Sequence, residues 1–165
     1  MKIAKLFTVV FCLMMTSSLF AQKDIPNLKL KTLDGKTVNL QDFGKNGKVT
    51  VVSFWATWCS PCKKELDAIA DIYPDWQEEY DVELVAITVD TRRALAKVPG
   101  IVETKSWEYT VLSANEQEAQ NALNFQTIPQ TFLIDKDGKI VWDHNGYVPG
   151  DEAELEEEIA RLAKK

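Results

Sequence analysis

The sequence predicts an α/β fold in which a mixed central sheet carries helices on both faces. Three observations carry that expectation. Val49-Thr50-Val51-Val52-Ser53-Phe54 and Val82-Glu83-Leu84-Val85-Ala86-Ile87-Thr88-Val89 are short, mostly apolar runs, as strands covered on two sides should be. Segments of helical periodicity alternate with these strands, the pattern of a layered α/β domain. The chain then closes on 130–135 and 139–142, joined by Lys136-Asp137-Gly138, a hairpin that makes the sheet mixed rather than all parallel.

Residues 1–21 stand apart from that domain. Lys2 and Lys5 precede the apolar run Leu6–Met15, and Thr16-Ser17-Ser18-Leu19-Phe20-Ala21 ends the segment, the pattern of a secretory signal cleaved after Ala21. The run is about ten residues against the roughly twenty that span a bilayer, which favours cleavage over an uncleaved N-terminal anchor. Residues 22–165 are then expected as one exported, periplasmic domain. The whole chain is 45% hydrophobic and 27% charged, material for a real core, and it contains no linker or repeat. Removing Lys2 and Lys5 takes the basic count from 19 to 17 against 25 acids, so the net charge of −6 becomes −8. That balance argues against nucleic acid as a partner, and a monomer is the expectation.

After the signal, Leu28-Lys29-Leu30-Lys31 and Thr37-Val38-Asn39-Leu40 alternate apolar and polar residues around Asp34-Gly35, a strong hairpin signal. The first core strand follows at 48–54. A helix from about Cys59 carries Leu66, Ile69 and Tyr73 on one face, and Pro74 is expected to kink or end it. The second buried strand, 82–89, leads into a helix over 91–98 cut by Pro99-Gly100. A short strand near 109–112 and a helix over 114–123 precede the closing hairpin. The last helix, 151–162, has acids at its start and Arg161, Lys164 and Lys165 at its end, in line with the helix dipole. Leu155, Ile159 and Leu162 form its apolar stripe, and its acidic face reads as solvated surface.

The residues that carry chemistry are Trp55-Ala56-Thr57-Trp58-Cys59-Ser60-Pro61-Cys62-Lys63-Lys64-Glu65, at the junction of the first core strand and its helix. Two residues between the cysteines put both sulfurs in the first helical turn, close enough to close and reopen a disulfide ring. Unpaired N–H groups and the positive end of the dipole favour a thiolate at Cys59, below the free-thiol value of about 8.5. Thiolate is the attacking species in disulfide exchange. Cys12 leaves with the signal, so Cys59 and Cys62 are the only pair in the exported chain. A bridge between residues three apart closes too small a loop to stabilise much, so redox work is the better reading.

With this motif at a strand end and Thr127-Ile128-Pro129 opening a later strand, nearly all of 22–165 resembles the thioredoxin superfamily. The N-terminal hairpin, the export signal and Lys63-Lys64-Glu65 resemble its TlpA/ResA branch of exported thiol–disulfide oxidoreductases. The resemblance implies a thioredoxin-like fold with an added N-terminal hairpin and a Glu65 carboxylate close to the sulfurs. It implies that Pro129 is cis beside the cysteines, where the residues alone predict the commoner trans bond, and that the Ile128 backbone pairs with an extended substrate. Pro61 between the cysteines fits the same pattern, and Trp58 is expected to shape the docking surface, whereas Trp55 reads equally as core. Neither cofactor nor metal is implied. The partners implied are protein disulfides, for example the haem-binding cysteines of apocytochrome c, with a membrane thiol carrier as reductant.

One position departs from the superfamily. Cytosolic thioredoxins carry a buried aspartate six residues before the first cysteine, as a proton acceptor, and this chain has Ser53. Glu65 lies one turn beyond Cys62 and two beyond Cys59 on the same side, so it is expected to be partly buried, with a raised pKa, and to move protons for Cys62. Lys63 and Lys64 should change the Cys59 pKa little, because exposed charges are screened. His144 reads as structural or surface. Two rivals are a peroxiredoxin-like peroxidase and a copper-binding module. The first needs Thr or Ser three residues before its cysteine, where this chain has Ala56; the second would use Cys59, Cys62 and His144.

Overall fold

Strand β4 (Thr50–Trp55) is buried at all six positions and sits near the centre of an eight-stranded sheet, in a computed structural model that describes residues 23–164. Its β-branched and aromatic residues suit a strand covered on both faces. β5 (Glu83–Thr88) and β6 (Thr110–Ser113) extend the sheet in parallel on one side. On the other side β7 (Gln130–Ile134) runs antiparallel to β4, followed by β8 (Lys139–Asn145) and the two-residue β1 (Lys23–Asp24). The leading hairpin, β2 (Lys29–Thr32) and β3 (Thr37–Asn39), joins the far edge through β2 and β6. The strand order is β1-β8-β7-β4-β5-β6-β2-β3, the mixed sheet expected from the two hairpins and the parallel middle. The expected signal segment 1–21, with Cys12, lies outside the described residues.

Helix α1 (Leu40–Phe43) follows β3, and α2 (Ser60–Tyr80) follows β4. α3 (Arg92–Leu95) and α4 (Val98–Lys105) connect β5 to β6; α5 (Glu116–Leu123) leads to β7, and α6 (Asp151–Ala163) ends the domain. Cys62, Glu65, Leu66, Ile69, Tyr73 and Trp76 form the buried stripe of α2. α6 buries Leu155, Ile159 and Leu162, as its periodicity predicts. Among the described residues no helix is long and apolar enough to cross a membrane.

Three local expectations are corrected. Of the two outcomes expected at Pro74, a kink or an end, the end does not occur, and α2 runs through Pro74 to Tyr80. Pro74 is exposed while Tyr73 and Trp76 are buried; burying two aromatic rings outweighs a proline cost of about 3 kcal/mol. Pro99-Gly100 does not cut a helix but lies in the first turn of α4, where a proline's missing N–H costs nothing. β8 continues three residues past Trp142, so His144 stands within the strand, opposite Thr131 of β7.

Candidate active site

Cys59 is the N-cap of α2: its backbone is extended and its Sγ accepts a hydrogen bond from Cys62 N at 3.3 Å. Pro61 lies in the first turn, where its fixed φ helps start the helix. The two cysteines form a disulfide with Cα atoms 5.4 Å apart. Cys59 is 4% exposed and Cys62 fully buried, so an incoming thiol meets Cys59 first. Trp58, immediately before it, is 67% exposed. Trp55 is core, packed edge-on against Trp107 with ring centroids 5.1 Å apart.

The loop that presents the pair is latched from β5 by a residue that local patterning gives no reason to single out. Asp90, itself buried, accepts from Thr57 N and Thr57 Oγ1 at 2.8 Å each and from Thr88 Oγ1 at 2.7 Å. Lys63 Nζ donates to Thr57 O at 3.0 Å, a second tie on the same residue. Asp90 and Thr57 are 33 residues apart. The sequence cue available was an acid directly after the apolar run 82–89 and a threonine two residues before Cys59.

Glu65 is 5% exposed and lies one turn behind Cys62. Its Oε1 accepts from Thr131 Oγ1 at 2.6 Å and its Oε2 from Ser53 Oγ at 3.3 Å. Burial disfavours the carboxylate and pushes its pKa up from an ordinary 4.5 to about 7, although the two hydroxyls pull the other way. Ser53 therefore hydrogen-bonds Glu65 from the position where cytosolic thioredoxins carry their aspartate.

The Ile128–Pro129 peptide bond is cis, as the resemblance implied and the residues alone did not. Gly146 N donates to Pro129 O at 2.9 Å, and Asn145 Nδ2 lies 3.1 Å from Thr127 O and 3.3 Å from Pro129 O. Those contacts fix the Thr127–Pro129 turn against the end of β8. His144 Nε2 lies 3.2 Å from Asp151 Oδ2, and its ring stacks on Trp142. Among the described residues no three His, Cys, Asp or Glu come together to hold a metal ion, so His144 does not join Cys59 and Cys62.

A two-cysteine disulfide capping the helix after a central strand, with a cis-proline turn at the start of a neighbouring strand, is the arrangement of a thioredoxin-like thiol–disulfide oxidoreductase. The chain belongs to the AhpC/TSA family, whose sequence profile matches residues 21–143. It is 33% identical over 124 residues to thiol-disulfide oxidoreductase ResA of Bacillus thuringiensis subsp. konkukian, a match covering 75% of this chain and 69% of that protein. A thioredoxin-like protein from Porphyromonas gingivalis, known in solution, superposes with a TM-score of 0.75 at 40% identity, covering 85% of this chain and 92% of that one. The crystal structure of StoA from Bacillus subtilis gives a TM-score of 0.63 at 25% identity, covering 84% and 99%. The enzyme is accordingly a ResA-like thiol–disulfide oxidoreductase.

Proposed function

We propose that the chain is an exported reductant of protein disulfides, working through Cys59 and Cys62 with Glu65 as proton carrier. One observation carries this reading: the cysteine pair caps α2 while a buried carboxyl one turn behind it has a pKa of about 7. Near neutral pH such a group both accepts and gives up protons, as general acid–base work requires.

In the reduced enzyme the Cys59 thiolate attacks one sulfur of a target disulfide, forming a mixed disulfide. The other target sulfur leaves as a thiolate and takes a proton from solvent. Glu65 carboxylate then takes the proton of the Cys62 thiol, and the Cys62 thiolate attacks Cys59 Sγ. The second target sulfur departs and is protonated, leaving the target dithiol and the Cys59–Cys62 bridge. Two electrons and two protons have passed to the target. A membrane thiol carrier restores the dithiol by the same exchange in reverse.

Exposed Trp58, Pro61 and the Ile128–Pro129 turn form the docking surface, with the Ile128 backbone pairing an extended target segment. Ser60-Pro61 places no charge between the cysteines to stabilise a thiolate, which favours a reducing rather than an oxidising pair. The targets are exported proteins with accessible disulfides, the haem-binding cysteines of apocytochrome c among them, and the enzyme acts as a monomer. The absence of a hydroxyl at Ala56 disfavours the peroxidase reading.

The test is a Cys62→Ser variant expressed in the native host. Cys59 should hold its partners as mixed disulfides in the exported fraction, on a chain whose first residue is Gln22. No trapped partner, together with failure of the wild type to reduce insulin, contradicts the proposal.

A further inference from the structure

Behind Glu65, between α2, β8 and the start of α6, lies a narrow cleft of about 10 Å³, room for roughly one water, lined by Glu65, Trp142, His144, Tyr147, Asp151 and Glu152, with Ile69 and Leu155 beneath. Neither cysteine, and no residue of the cis-proline turn, contributes to its wall. Glu65 is buried, whereas the His144 and Asp151 side chains are 31% and 22% exposed, so the cleft leads from a closed carboxyl to a wet rim.

The register of the sheet makes this connection tight. His144 stands directly opposite Thr131 in the β7–β8 pair, and Thr131 donates to Glu65 Oε1. Side chains opposed in this way lie about 4.5–5.5 Å apart at Cβ. Asp151 fixes the imidazole from α6, and Val148 N fixes Asp151 by donating to its Oδ2 at 2.8 Å. Tyr147 and Glu152 are tied to each other across the rim at 2.9 Å.

We propose that His144 and Asp151 are positioning residues for Glu65 at a proton outlet that opens a turn further along the buried stripe of α2 than Cys62. The proton that Cys62 gives to Glu65 leaves through the cleft to solvent at the rim, and the charges of the His144–Asp151 pair set how readily Glu65 releases it. The substrate face stays free for the target during that transfer. The charges at the outlet act on Glu65 in opposite senses. A protonated His144 favours the carboxylate and Asp151 disfavours it. Besides Glu65, the titratable groups of the cleft are Tyr147, Asp151, Glu152 and His144, and Tyr109, whose hydroxyl donates to Leu66 O, also feels the Glu65 charge.

This inference rests on the proton-carrier reading of Glu65, so its test reads the carboxyl itself. In His144→Gln and Asp151→Asn, both of which keep a hydrogen-bonding group in place, the Glu65 side-chain carboxyl is titrated by ¹³C NMR in the oxidised protein. The midpoint should move to higher pH in H144Q and to lower pH in D151N. On the acid limb, insulin reduction should fall about two- to fivefold in H144Q and rise by a similar factor in D151N, as expected for partly exposed charges, with equal rates at pH 8.5. Unmoved midpoints, or midpoints moved in the same direction, overturn the outlet. So does a rate change confined to the plateau. The NMR midpoints remain readable even if the enzyme proves to reduce nothing, which separates failure of the outlet from failure of the function.

Discussion

As the proposed proton carrier, Glu65 would couple the chemistry of the site to the stability of the fold. Burial holds its carboxyl protonated up to about pH 7, whereas in the unfolded chain it ionises near 4.5. Between those values the folded chain carries a proton that the unfolded chain has lost, so folding stability falls as pH rises through that window and levels off above it. The shift corresponds to about 3 kcal/mol at roughly 1.4 kcal/mol per pH unit. Glu65→Gln should abolish this loss, narrowing the stability gap to wild type at pH 4.5 and favouring the variant at pH 8, as read by urea midpoints. The same variant should exchange disulfides at least about tenfold more slowly, since acid–base assistance is worth that or more. Unchanged kinetics from pH 6 to 9 would remove Glu65 from the mechanism. Glu65 was legible in the sequence because Ser53 leaves the usual acid position empty and the α2 stripe puts position 65 inside. The place of His144 was not, because it depends on β8 reaching Asn145 and so pairing His144 with Thr131.

Helix α2 presents the cysteines from a scaffold that carries its own defect. Pro74 is exposed in mid-helix, where it supplies no N–H to Ala70 and packs little. Pro74→Ala should therefore stabilise the protein by about 2 kcal/mol, the helix gain reduced by the freer unfolded chain, with an unchanged urea m-value. A loss of stability would mean that the proline ring is needed where it stands. Pro74 also shows how a strong local signal is overridden: the stop it encodes yields to the burial of Tyr73 and Trp76 beyond and beside it. Pro99-Gly100 misleads for a different reason, since the same dipeptide suits a break and a first helical turn. α1 and β1 are too short to carry periodicity, and β1 exists only because it pairs with β8, helped by the Lys139–Asp24 ion pair. The two hairpins, the buried strands and the α6 stripe were legible because their patterns are local.

At the scale of the whole molecule, contacts distant in sequence assemble one redox unit. Asp90 latches the cysteine loop from β5, Asn145 holds the cis-proline turn from β8, and Thr131 reaches Glu65 from β7. The cysteine motif and its helix could be read directly from the chain, while the latch and the cleft could not, because only the sheet order brings their residues together. The central claim is that this unit is a reducing dithiol pair. Equilibration of the purified domain with glutathione redox buffers, followed by mass analysis of Cys59 and Cys62, tests it most directly. A reducing pair gives a single two-electron transition of both cysteines at a potential nearer about −270 mV than about −120 mV. A transition above roughly −160 mV, or cysteines that do not titrate as a pair, would contradict it.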